Sequence, residues 1–357
     1  MKKIIALARR YIAIKSVGDN KSDLNRAISF CKKLIPKYKN LVLKEYEFNG
    51  KKSLVISYKG IKNATVMLHG HIDVVPGSGD SFVLKRTGDK LIGRGVYDMK
   101  ITVLIFCKIL GELSESVLKK IGVMIVTDEE IGGENGTKRL CKYYKPKFFL
   151  TGEPTNLTIF TQAKGALWVE IVQKGKAAHS GGPWLGKNAI ELMNKNIVKL
   201  LQKRPNPKKY EWKTTFNLSQ ISGGSYINSV ADSCILKVDV RYLPNASVKS
   251  ILKFLKKTFI GAQIKVLRNN SPTINNENNF YIKKLSETFE NVAKIKNRFG
   301  KNLGFTDARY YSALGIPAVS FGPLGGDAHS EKEWVSLKSV RLYEKVLINF
   351  LNSIVPE

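Results

Sequence analysis

Only four histidines occur in the 357 residues: His69, His71, His179 and His329. A lone histidine is more often a core residue than a ligand, but these keep unusual company. His71 lies in HGHIDVVP, His179 in the small-residue loop GKAAHSGG, and His329 in GPLGGDAHSEKEW. Acidic residues repeat the pattern. VTDEE carries Asp128, Glu129 and Glu130, TGEPT carries Glu153, and GRGVYDMK puts Asp98 where a glycine-rich turn meets the start of a helix. His71, Glu129, Glu130, Glu153 and His329 supply two imidazoles and three carboxylates, the donor mixture of Zn2+ and also of Co2+ or Mn2+. Carboxylates gathered out of water are costly unless compensated, so such a cluster calls for cations. Asp73, two residues after His71, can accept that histidine's other ring N–H and fix its tautomer. His69 reads as a packed histidine beside the site. Each fragment alone has a plainer meaning: DEE is a solvated charge run, GEP a turn, GRG a turn with a surface arginine.

The elements around these residues say how they could meet. Apolar β-rich runs at 64–69, 121–126, 147–152 and 317–322 alternate with helical patterns at 23–38, 99–113 and 279–295. That alternation predicts an α/β domain with a mostly parallel sheet covered on both faces. His71, Glu129, Glu130, Glu153 and His329 then all follow the C-terminal ends of strands, the rim where open α/β sheets bind ligands. The middle of the chain differs. A strand at 166–175, a helix at 186–203, the strands FNLSQISGG and CILKVDVRYL and a helix at 247–259 follow the order of a ferredoxin-like α+β unit, and the polar stretch 268–279 reads as a return linker. We therefore expect a domain of residues 1–165 and 273–357 interrupted by an inserted domain, 166–272.

Composition narrows the classes. No apolar run is long enough to span a membrane, and the start MKKIIALARRYIAIK is interrupted by Arg9 and Arg10, so it reads as an amphipathic helix rather than a signal peptide. Four scattered cysteines without a CxxC pair suggest buried thiols and a reducing cytoplasm. A net charge of +30 raises polyanion binding as a rival function. The excess is spread, with 18 Lys and Arg against 5 Asp and Glu in 166–272, and there is no basic arm or zinc-finger spacing. Nucleic acid is therefore not expected as a partner.

The motifs HGHIDVVP, GRGVYDMK, TDEEIGG, TGEPT, GKAAHSGGP and GGDAHSEKEW, in this order along nearly the whole chain, resemble the M20 metallopeptidase family, in particular the branch of acetylornithine deacetylase and succinyl-diaminopimelate desuccinylase. The resemblance implies a zinc-bearing α/β domain with an inserted lid that forms a homodimer. It implies that His71 and Glu153 hold one zinc, that His329 and Glu130 hold the other, and that Asp98 bridges both. Glu129 would be the general base, and Asp73 would orient His71. In the lid, His179 would reach the partner subunit's site and stabilise the oxyanion, with Asn228 nearby. Arg241, in VDVRYLP, and Arg309, in FTDARYY, would meet a substrate carboxylate. The expected activity is hydrolysis of the amide of an N-acyl amino acid by a water held between two cations, with a di- or carboxypeptidase as the alternative. Three departures stand out. Ile101 replaces a usual glycine after DMK, the loop after VVP is short, and SGGPW follows the lid histidine. The last two touch the substrate end rather than the metals.

Overall fold

A computed structural model of the chain describes residues 2–37 and 40–354. Residue 38, the last of the helix expected over 23–38, lies outside them. The chain divides into two compact units. The first comprises Met1–Gln162, Ile274–Lys301 and Thr306–Glu357, and the second comprises Ala163–Thr273 with Asn302–Phe305.

The first unit is built on strands β1 (Leu41–Phe48), β2 (Lys51–Tyr58), β3 (Val66–His71), β4 (Ile121–Val126), β5 (Phe148–Thr151) and β6 (Phe160–Ala163). The second contains β7 (Gly165–Lys174), β8 (Thr215–Gly223), β9 (Ser233–Tyr242) and β10 (Ala262–Asn270). The chain then returns to the first unit with β11 (Ala318–Ser320). The nine-stranded sheet runs β1-β2-β4-β3-β5-β11-β6, with the short strand Thr273–Ile274 beyond β6 and Gly300–Asn302 also paired to β6. Its centre, β4-β3-β5-β11, is parallel, but β1, β2 and β6 pair antiparallel. The sheet is thus mixed, where a mostly parallel one was expected. The hairpin β1–β2 escaped the sequence reading because β1 is only half-buried and lacks a continuous apolar run.

β3, β4 and β5 are buried along their whole length, as strands covered on both faces must be. One face is covered by the helix Lys100–Ile109, in which every residue but Lys108 is buried. Its approach depends on two glycines at strand ends. A Cβ on Gly70 would come within 2.6 Å of Val103, and one on Gly152 within 2.0 Å of Thr102. Ile101 is fully buried in the same core, so this chain accommodates the larger side chain there. The helix Leu337–Ser353 adds Leu337, Val340, Tyr343, Leu347 and Phe350 to that core at helical spacing, and Ser336 caps its start by accepting from the Ser339 N–H at 3.1 Å.

The second unit has the order β7, helix Ala189–Lys203, β8, β9, helix Val248–Thr258, β10. Its four strands form one antiparallel sheet in the order β8-β9-β7-β10. This is a ferredoxin-like arrangement. β10 runs on to Asn270, so the first three residues of the stretch read as a linker belong to a strand. Among the described residues no helix is long and apolar enough to cross a membrane, and Cys31, Cys107, Cys141 and Cys234 are buried free thiols.

Candidate metal centre

The parallel ladder brings the acidic and imidazole groups to one rim. His71 stands opposite Val126, His69 opposite Thr151, and Ser320 also opposite Thr151. The residues that follow these strands therefore emerge side by side, Asp128 to Glu130 after β4 and Glu153 after β5. The helix Lys100–Ile109, seated closely on the sheet through Gly70 and Gly152, carries Asp98 just before its first turn.

Two donor sets result. Ligand atoms of His71, Asp98 and Glu153 lie within 4.8 Å of one another, and so do those of Asp98, Glu130 and His329. Asp98 belongs to both sets. His71 Nε2 is 3.0 Å from Asp98 Oδ1, while His329 Nε2 is 3.2 Å from Asp98 Oδ2 and 3.3 Å from Glu130 Oε2. His71 Nδ1 donates to the Asp73 carbonyl at 2.9 Å, and since a carbonyl can only accept, that nitrogen carries the proton. A neutral His71 would then turn the lone pair of Nε2 toward a carboxylate, an arrangement that needs either a second proton or a cation.

Titration behaviour points the same way. Burial opposes charge on His71, but Asp73 and Asp98 outweigh it and hold its pKa well above the ordinary value. Contacts with Asp98 and then Glu130 push His329 up to about 10. Burial resists ionisation of Asp98, yet His329 and His71 keep its pKa below the usual carboxylate range. Burial, then the Asp98 charge, pushes Glu153 up to about 8. Burial and the neighbouring Glu153 hold Glu129 well above its usual value. Glu153 Oε1 is buried without a hydrogen-bond partner. Protons thus stand where cations would, and the mixed nitrogen–oxygen donor set fits divalent zinc, cobalt or manganese.

Supporting contacts refine the sequence reading. Asp73 orients His71 through its backbone carbonyl, since its carboxylate lies 3.6 Å from the ring nitrogen, beyond hydrogen-bond range. That carboxylate instead accepts the Glu130 N–H at 2.9 Å and so ties the two ligand segments together. His69 is fully buried between the hydroxyls of Thr151 at 3.0 Å and Thr137 at 2.9 Å, with Asp307 at 3.5 Å.

Arg309 is not a solvent-facing anchor. It is 2% exposed, and its guanidinium donates to Thr306 O at 2.9 Å, to Gly132 O at 2.6 Å and to the Tyr310 hydroxyl. It braces the loop that follows Glu129 and Glu130. In the second unit, Arg241 is part-buried and places two N–H groups on Asp239, at 2.9 and 3.1 Å, with Phe305 beneath its guanidinium. His179 is exposed and accepts from the Gly181 N–H at 3.0 Å. Its loop pairs with that of Asn228, whose carbonyl accepts from the Ser180 N–H at 3.1 Å.

Two residues escaped the sequence reading. Arg94, to which the GRG turn by itself gives no role, is 2% exposed and pairs at 3.0 Å with the fully buried Glu333. The available signal was position alone: Arg94 is four residues before Asp98, and Glu333 four residues after His329.

Acetylornithine deacetylase of Buchnera aphidicola subsp. Acyrthosiphon pisum is 28% identical over 272 residues, 71% of either chain. Succinyl-diaminopimelate desuccinylase of Wolinella succinogenes is 24% identical over 330 residues, 85% of this chain and 90% of that one. The crystal structure of a tripeptidase from Staphylococcus aureus superposes with a TM-score of 0.82 at 21% identity, covering 100% of this chain and 99% of that one, which is a likeness of fold. The pattern of peptidase family M20/M25/M40 matches residues 67–353, a span that holds both donor sets, so the chain belongs to that family and is a hydrolase of the metal-dependent kind.

Proposed function

We propose that this hydrolase uses two divalent ions, zinc in the first instance, to cleave the amide bond of an N-acyl amino acid in the cytoplasm. The observation that carries the proposal is the pair of three-residue donor sets sharing Asp98. His71, Asp98 and Glu153 would hold one ion, and Asp98, Glu130 and His329 the other. Bound there, the ions would polarise the amide carbonyl and make a water acidic enough to act as nucleophile near neutral pH. Glu129 is the base. Its carboxylate takes the proton of the attacking water and returns it to the leaving amine. Asp73 holds His71 in the tautomer that leaves Nε2 for the metal.

The second unit supplies the remaining roles. We assign it to dimer formation, with His179 and Asn228 completing the oxyanion site of the partner subunit and Arg241 meeting the substrate carboxylate. Arg309 we assign to bracing the Glu129–Glu130 loop. The deacetylase and desuccinylase among the relatives support acyl-amino acids as substrates. A peptidase activity is the second reading, favoured by the tripeptidase fold likeness.

One experiment separates them. The zinc-loaded chain is assayed against N-acetyl and N-succinyl amino acids beside di- and tripeptides. Preferred hydrolysis of an acyl-amino acid supports the proposal. Cleavage of peptides alone selects the second reading.

A further inference from the structure

We propose that the buried Arg94–Glu333 ion pair is a positioning device that sets the orientation, and hence the metal affinity, of Asp98 and His329. The inference rests on the two-metal reading above. Glu333 Oε1 accepts two backbone N–H groups, from Tyr97 at 2.9 Å and from Asp98 itself at 3.1 Å. Its other oxygen takes Arg94 Nη1 at 3.0 Å. Arg94 Nη2 continues outward to the carbonyls of Pro76 at 3.2 Å and His329 at 3.3 Å. One pair of side chains, both essentially removed from solvent, thereby joins three chain segments: the turn before Asp98, the loop after Asp73, and the loop of His329.

The need for such a device is visible at both ligands. Asp98 serves both donor sets, so a rotation of its peptide misaligns both. His329 sits on a half-exposed loop with φ of +65°, a left-handed conformation uncommon for residues with a side chain, so its backbone gains from an outside tether. Arg94 grips its carbonyl. At the surface, the Ser78 N–H and hydroxyl donate to Glu331 at 2.9 and 2.6 Å and hold the same loop from outside. A pair needed only for packing would be replaced at little cost by apolar side chains of similar volume, whereas the fork of an arginine can satisfy a carboxylate and two carbonyls together.

The two partners therefore have different reach, which gives the test. Glu333→Gln disturbs the amide of Asp98 and should weaken both ions. Arg94→Lys keeps the charge beside Glu333 but loses the fork to His329, so it should weaken the ion on the His329 side and spare the other. The metal-free wild type and both variants are titrated with Co2+ by calorimetry, with the visible d–d spectrum recorded at each addition and the fold checked by circular dichroism and melting without metal. We expect about a 10–100-fold loss of affinity, the usual effect of removing a group that orients a ligand. In Arg94→Lys it should be confined to one of two binding events and accompanied by a changed spectrum. Should Glu333→Gln fail to fold, Arg94→Lys decides alone. Two ions bound with wild-type affinities and spectra in the folded variants would overturn the inference, even if the variants melt earlier, because that is a purely structural role. A wild type that takes fewer than two ions would refute the two-metal reading instead, and this inference with it.

Discussion

Most candidate residues of the two units are built in opposite ways, His329 on its half-exposed loop being the exception in the first. In the first unit, His71, Glu153 and Asp73 are buried, and each is fixed by the register of parallel strands or by a hydrogen bond to a neighbouring ligand segment. In the second, His179 and Asn228 are exposed on two short paired loops. Exposed side chains beside them, Trp184, Leu185, Tyr226 and Ile227, are large and apolar, with Ile227 fully exposed. A metal centre must hold several like charges at fixed separations, so it needs the stiffest part of the fold. A residue that completes a site only when another surface arrives gains nothing from such bracing.

If that contrast is right, substitutions should separate function from stability differently in the two units. The largest effect is expected for Glu129→Ala. Loss of the base should lower kcat by about 10²–10⁴-fold or more while calorimetry still finds the metals bound. Near-normal kcat would mean that another group is the base. His179→Ala should lower kcat by about 10²–10³-fold, as loss of one oxyanion donor does, yet leave stability within about 0.5 kcal/mol because the side chain is exposed. A large drop in melting temperature would show it to be structural. Mixing inactive Glu129→Ala subunits with inactive His179→Ala subunits locates its action. Recovered activity means it works across a dimer, and none means it works within its own chain.

Smaller effects sharpen the picture in both units. Arg309→Met removes one of the two donors on each of the carbonyls of Gly132 and Thr306, and the cation beside the buried Asp307, and should cost about 1–3 kcal/mol of stability with KM little changed. Arg241→Ala should do the reverse and raise KM. Gly152→Ala must push the helix Lys100–Ile109 off the rim, because its Cβ would meet Thr102 at 2.0 Å. A loss of about 1–3 kcal/mol is expected, together with weaker metal binding.

The last prediction concerns pH. His329 in the metal-free fold is raised from its ordinary 6.5 to about 10. Its contribution is therefore complete below about pH 6.5 and lost as pH rises through about 10. Glu153, raised from 4.5 to about 8, acts in the same direction, losing its contribution as pH rises through about 8. Asp98, depressed, contributes fully above about pH 4 and is constant in this window. Metal-free protein should lose stability from about pH 6 to pH 10, more steeply than His329→Gln, and bound metal should remove the difference. Equal slopes for wild type and variant would show that His329 carries no such proton.

Much of this was legible in the sequence because it is local. β4 matches the expected 121–126 residue for residue, and the strand-end positions of His71, Glu153 and the DEE run follow from apolar runs and the residues after them. The ferredoxin-like order was legible for the same reason. What was missed is non-local. Arg94 and Glu333 are 239 residues apart, and a GRG turn looks the same whether its arginine points to water or to a buried carboxylate. The contacts of Arg309 and of the Asp73 carboxylate were hidden likewise, since Gly132 lies 177 residues from Arg309 and Glu130 lies 57 from Asp73. The mixed character of the sheet depended on a half-buried edge hairpin with no continuous apolar run.

On the two-metal proposal, Asp98 serves both metal sites at once. Zinc titration of the metal-free chain beside Asp98→Asn tests it most directly. Two ions per wild-type chain and a marked loss of affinity at both sites in the variant are expected. A wild-type stoichiometry of one, or a variant that loses one ion and keeps the other at full affinity, would contradict it.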